Sequence, residues 1–130
     1  MTSFNNETLK EAVRLYLIEH YKDSIINKHG PIKYWDTSQV TDMRYLFYDA
    51  QNFNDDISNW DTSNVINMNS MFFNALTFNQ NINKWNISKV KDTRFMFLDA
   101  KNFNQKLPSW DLTNIEHKKD MFKNSKISLI

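Results

Sequence analysis

The chain has 130 residues, a formal net charge of +1, 41% hydrophobic residues and no cysteine. That length holds one core rather than two, and so even a balance gives no global electrostatic reason to expect nucleic acid or an anionic membrane surface as partner. Disulfides, thiolate metal sites and a cysteine nucleophile are excluded.

Residues 1–13 carry neither a charged n-region nor an apolar h-region, so no secretory signal is read there. No apolar run approaches the roughly 18 residues of a membrane span. Cell surface, virion and cytoplasm stay open as locations. Leu9, Val13, Tyr16, Leu17 and Tyr21 share one helical face, continued by Ile25. Asn5 is the candidate N-cap, with Phe4 and Leu9 placed as a hydrophobic staple. Gly30 and Pro31 stop the helix. Residues 1–31 are therefore expected to form one capping helix and its lead-in.

A 25-residue repeat follows. Trp35, Trp60, Trp85 and Trp110 recur at that step, and the register holds across the unit. Ile32, Ile57, Ile82 and Leu107 precede them; Val40, Val65, Val90 and Ile115 follow. Next come Leu46, Met71, Met96 and Met121, each joined to Phe47, Phe72, Phe97 or Phe122. Ala50, Ala75, Ala100 and Ser125 lead to Phe53, Phe78 and Phe103. The Ile-x-x-Trp segment suits a brief extended stretch, and the apolar spacing of three, three, one and three after Val reads as helical or 3₁₀ rather than strand. The expected fold is an α/β repeat solenoid, leucine-rich-repeat-like, with one extended and one helical segment per coil. One domain spans residues 1–130: cap 1–31, four stacked repeats over 32–125, and a C-terminal cap over 126–130. Strands paired at about 4.8 Å make the stack roughly 20 Å long. Ile127, Leu129 and Ile130 alternate as a closing strand does. With one glycine and two prolines, turns fall to Asn and Asp, which tolerate left-handed backbone and form Asx-turns.

The unit W-D-T-S-x-V-x-x-M-x-x-L/M-F-x-x-A-x-x-F-N-x-x-I over residues 35–125 resembles the BspA-type leucine-rich-repeat surface proteins, in their mycoplasma-lipoprotein-like branch. The Gly30-Pro31-Ile32 lead-in is similar to that branch as well. The resemblance implies a solenoid used for adhesion or protein contact, found on bacterial and protist surfaces and encoded by large DNA viruses, with no catalytic residues. The family often has Gly-Cys near the position held here by Ala50, Ala75 and Ala100.

The tryptophan, valine and phenylalanine columns read as packing rather than as ligand sites. Asp36, Asp61, Asn86 and Asp111, with Asp42, Asn67 and Asp92, make carboxylate-rich columns; capping of turns outweighs calcium binding as their role, because the repeats lack the glycines that wrap an ion. Asn54, Asn79 and Asn104 suggest a hydrogen-bond ladder. His20, His29 and His117 are scattered, and no nucleophile elbow, acid pair or phosphate loop is present. No enzyme activity, cofactor or metal site is expected. Residues 35–59 sum to −4 and residues 85–109 to +3, a polarity that suits self-association along the axis or a charged partner. The expected function is a non-catalytic module for a protein or glycan partner; the alternative is a structural subunit of a large-virus particle or another assembly. Tyr45, Tyr48 and Phe73, outside the repeating columns, are the candidate contact patch.

Overall fold

The structure, a computed structural model, describes residues 3–127. Two α-helices come first, α1 (Asn6–Tyr16) and α2 (Glu19–His29), then a short 3₁₀ turn at Ile32–Tyr34. From Trp35 onward the described residues hold no further helix and no strand. Isolated parallel bridges join Asp42 to Asn67, Asn67 to Asp92, and Asp92 to His117. The α/β repeat solenoid read from the sequence is therefore incorrect. The repeats are made of turns.

The hydrogen bonds explain why. The N–H groups of Met43, Tyr45, Phe47 and Asp49 donate to the carbonyls of Asn67, Asn69, Met71 and Phe73 in the next coil, at 2.7–3.0 Å. The N–H groups between them, from Leu46, Tyr48 and Ala50, turn back to carbonyls three residues earlier at 3.1–3.3 Å. This two-residue alternation recurs from Met68, Ser70, Phe72 and Asn74, and again from Thr93, Phe95, Phe97 and Asp99. The apolar spacing of three thus comes from overlapping turns closed between residues i and i+3. An α-helix places side chains at similar intervals but needs bonds to i−4, and the coil spends those N–H groups on its neighbour.

Such a path requires left-handed residues. Tyr45, Asp49, Ser70, Asn74, Phe95, Asp99, Asp120 and Asn124 have φ between 52° and 61°. They form two columns at the 25-residue step. One column is Asp49, Asn74, Asp99 and Asn124, residue types that accept this geometry readily. The other includes Tyr45 and Phe95, each held there at a cost of about 1–2 kcal/mol. Asx-turns complete the corners: the side-chain oxygens of Asp36, Asp42, Asp56, Asp61, Asn67, Asn81, Asn86, Asp92 and Asp111 each accept the backbone N–H two residues on.

Tryptophan joins coils as well as filling them. The indole N–H of Trp60 donates to the Ile32 carbonyl, that of Trp85 to Ile57 and that of Trp110 to Ile82, at 2.8–3.1 Å. All four tryptophans are buried, as are Val40, Val65, Val90 and Ile115. Phe47, Phe72, Phe97 and Phe122 stack in a file with centroids 5.4–5.6 Å apart. Phe53, Phe78 and Phe103 make a second file at 5.8–5.9 Å. Outside the core, Asn54 accepts the Asn79 N–H and Asn79 accepts that of Asn104.

At the amino end, Asn5 and Thr8 form a reciprocal capping box, and Leu9, Ala12, Val13 and Tyr16 bury the apolar face of α1. The expected single helix is two, broken at Leu17 and Ile18, so Leu17 and Tyr21 are exposed rather than part of a buried face. A continuous helix over residues 6–29 would be roughly 36 Å long; the break instead lets α1 and α2 pack against each other. Phe4 lies 5.0 Å from the Trp35 ring and 4.9 Å from His29. Gly30, at φ 79°, ends α2 and gives its carbonyl to the Trp35 indole. At the other end Lys126 donates to Phe103 and Ile127 packs on the core; Leu129 and Ile130 of the expected closing strand lie outside the described residues.

Two outcomes follow from this architecture. Asn74→Gly and Asn74→Val both remove the Asn74–Asp49 side-chain bond of 2.6 Å, so their difference isolates the backbone. In urea titrations the Val variant should be less stable than the Gly variant by about 1–2 kcal/mol; equal stability contradicts a left-handed residue there. Second, burial and then the Lys28 charge hold the His29 imidazole below its ordinary pKa, and its Nδ1 is buried without a partner. The unfolded chain therefore binds this proton more readily, so the stabilisation is complete above about pH 6.5 and is lost as pH falls through the folded value. Melting midpoints should drop between pH 7 and 5, and His29→Phe should flatten that drop.

Candidate functional site

Packing accounts for the repeating columns, so the surface that varies between coils is where recognition chemistry can differ. Tyr48 and Phe73 occupy the same coil position one repeat apart, and stacking of the coils brings their rings to 5.0 Å at 21°. The turn in which the Tyr48 N–H donates to the Tyr45 carbonyl sets Tyr45 beside them, edge to face at 5.7 Å. The three candidate contact residues therefore form one continuous row. Tyr45 and Tyr48 are 53% and 48% exposed; Phe73 is half-buried beneath them.

The row runs into a groove that the sequence did not reveal. Tyr16, Leu17 and Lys22 on the helical side, with Tyr48, Asp49 and Asp55 on the first coil, line a space of about 690 Å³. Within it the Tyr16 hydroxyl donates to Asp55, and the Lys22 ammonium lies 3.8 Å from the same carboxylate and 4.9 Å from the Tyr16 ring centroid. Burial pushes the Tyr16 hydroxyl pKa up, and its bond to Asp55 pushes it the same way. Tyr16 therefore stays protonated and fixes one wall of the groove. Leu17, 38% exposed, forms an apolar lip.

Arg94 lies in the third coil. Its guanidinium holds Asp92 at 2.8 Å. Burial opposes the charged form of Asp92, but hydrogen bonds from Arg94 and Asn69 outweigh it and keep the carboxyl below its ordinary range. Tyr34 and Ile66 are also exposed but are not among the residues that line the groove.

Among the described residues, no group of three or more His, Cys, Asp or Glu side chains is placed to hold a metal ion. The carboxylates of the two Asp/Asn columns are engaged in their own turns, as given above. No helix among the described residues is long and apolar enough to cross a membrane.

A family model described as "Mycoplasma protein of unknown function, DUF285" matches residues 17–128, from the break between the helices through all four coils. No curated protein and no solved structure matches the chain.

The exposure of the row predicts that it contributes little to folding. Replacing Tyr45 and Tyr48 together by Ala should change unfolding free energy by less than about 1 kcal/mol, since substitutions at solvated positions cost about 0.5 kcal/mol or less each. Trp60→Phe, which removes the buried indole bond to the Ile32 carbonyl and leaves a void, should cost about 2–4 kcal/mol. Denaturant titration of both variants checks the contrast.

Proposed function

The chain belongs to the mycoplasma DUF285 family, and on that premise we propose that it is a non-catalytic interaction module that binds a protein or glycan through the Tyr45–Tyr48–Phe73 row. The observation that carries this reading is the row itself: three aromatic rings in contact with one another, two of them exposed, on a coil stack that buries its tryptophan and phenylalanine columns. Tyrosine gives large contact area at small entropic cost and offers a hydroxyl at its tip, which is why it is over-represented where binding energy concentrates. The adjoining groove adds fixed charges of both signs at Lys22, Asp49 and Asp55, which give orientation rather than raw affinity.

A finer kinship, to the BspA-type surface proteins, rests on the repeat unit of residues 35–125 and carries an adhesion-type role with it. That kinship concerns the unit and its columns, not a strand-lined architecture. A solvated aromatic row presented on a rigid coil stack is compatible with contact to another cell's surface. It does not require any reactive group.

Affinity capture from the source cell tests the reading. Wild type should retain a partner that the triple variant Tyr45→Ala, Tyr48→Ala, Phe73→Ala loses, while Tyr34→Ala, at an exposed aromatic away from the row, retains it. The triple variant's melt must show a folded chain. An unchanged set of captured partners removes the row from the function.

A further inference from the structure

Every peptide group that bridges successive coils through the turn runs has the same orientation. Its carbonyl faces the amino-terminal end of the stack and its N–H faces the carboxy-terminal end. At the fourth coil this leaves a surface of defined chemistry. Among the described residues, the N–H groups of Lys118, Asp120, Phe122 and Asn124 meet no acceptor, although the matching groups of the first three coils all do. Beside them Leu112, Met121 and Phe122 line a depression of about 430 Å³ that is rimmed by Lys118, Asp120 and Lys123. Phe122 rests one face on Phe97 at 5.4 Å and is only half-buried.

We propose that this end of the stack is a docking face for a further coil of the same 25-residue type. The hydrogen-bond polarity selects the occupant. An ordinary strand offers its neighbour N–H and C=O groups in turn, whereas this edge, after the single free carbonyl of Glu116, presents donors only, at every second residue. A turn run of this repeat is its complement, because all its inter-coil carbonyls face one way, as those of Asn67, Asn69, Met71 and Phe73 do toward the first coil.

Two other occupants are excluded by the same geometry. A second copy of this face meets donor with donor. The chain's own amino-terminal end is obstructed by α1, whose Asn6 side chain accepts the Thr41 and Asp42 N–H groups and whose Glu7 and Lys10 flank the buried Leu46. What fits is a coil with an uncovered carbonyl rim.

The apolar groups agree with that occupant. The open face of Phe122 continues the phenylalanine file, so the next ring in register would stack at the spacing seen within the protein. Aligned peptide dipoles place partial positive charge at the donor end, and Lys118, Lys119, Lys123 and Lys126 lie in the same stretch. The corresponding carbonyl positions of the first coil, Asp42, Arg44, Leu46 and Tyr48, carry one acidic and one basic side chain, so the fit rests on hydrogen-bond polarity and the phenylalanine file rather than on side-chain charge.

The test extends the intact chain by a tandem duplication of residues 101–125 behind Ser125, which keeps the register and the cap, and reads amide hydrogen exchange by NMR. The amides of Lys118, Asp120, Phe122 and Asn124 should slow by tenfold or more, on the order of the protection of paired amides, and the fast-exchanging set should move to the new terminal coil. Phe122→Lys in the extended chain should reverse the protection at these amides while those of Ser70 and Phe72 stay slow. Unchanged exchange at the four amides overturns the proposal. Equal protection from a fused alternating Thr-Val strand of the same length overturns the selectivity for a coil.

Discussion

The structure depends on peptide groups that point along the stack. Each coil run directs alternate N–H groups to the following coil and accepts from the preceding one, so that columns of hydrogen-bonded peptides pass through all four repeats. This is a backbone requirement met with very little glycine. Everything else follows from holding the coils at that separation: the phenylalanine files, the indole bonds from Trp60, Trp85 and Trp110 to the coil before each, and the Asx-turns at the corners. One coil alone leaves both rims unpaired and its apolar side chains in water, so the unit is stable only among neighbours.

Holding left-handed backbone at eight non-glycine positions is costly. The cost falls unevenly. Aspartate and asparagine alternate at one column, where Asn74 bonds Asp49 and Asn124 bonds Asp99 at 2.6 and 2.8 Å, so the residues that accept the geometry also link coils. At the other column Tyr45 and Phe95 adopt it against their preference, and the ladder overrides them. Tyr45, held in that conformation, carries one of the rings of the solvated row.

Much of this was legible in the residues, and the failures have physical causes. The step between tryptophans set the period, Asn5 marked the helix start, and Gly30 marked the helix end. The run after each valine reads as helical or 3₁₀ because turns closed at i+3 and helical turns both bring residues three apart onto one side; only the left-handed columns separate them. Asp49, Asn74, Asp99 and Asn124 hinted at that geometry, but Tyr45 and Phe95 hid it. The break at Leu17–Ile18 contains no glycine or proline and reflects docking of the cap rather than local preference. At the candidate site, the adjacency of Tyr48 and Phe73 is implied by the period. The groove with Tyr16, Lys22 and Asp55 is not, since it depends on where α1 and α2 sit against the first coil.

The central claim is that alternate backbone amides bond between coils rather than within them. Scalar couplings transmitted through hydrogen bonds, measured by NMR from amide nitrogen to acceptor carbonyl carbon, test it directly. The account predicts a coupling from Phe72 nitrogen to the Met96 carbonyl and from Ser70 nitrogen to the Arg94 carbonyl. Couplings from those amides to carbonyls four residues earlier in their own coil would restore a helical repeat and contradict it.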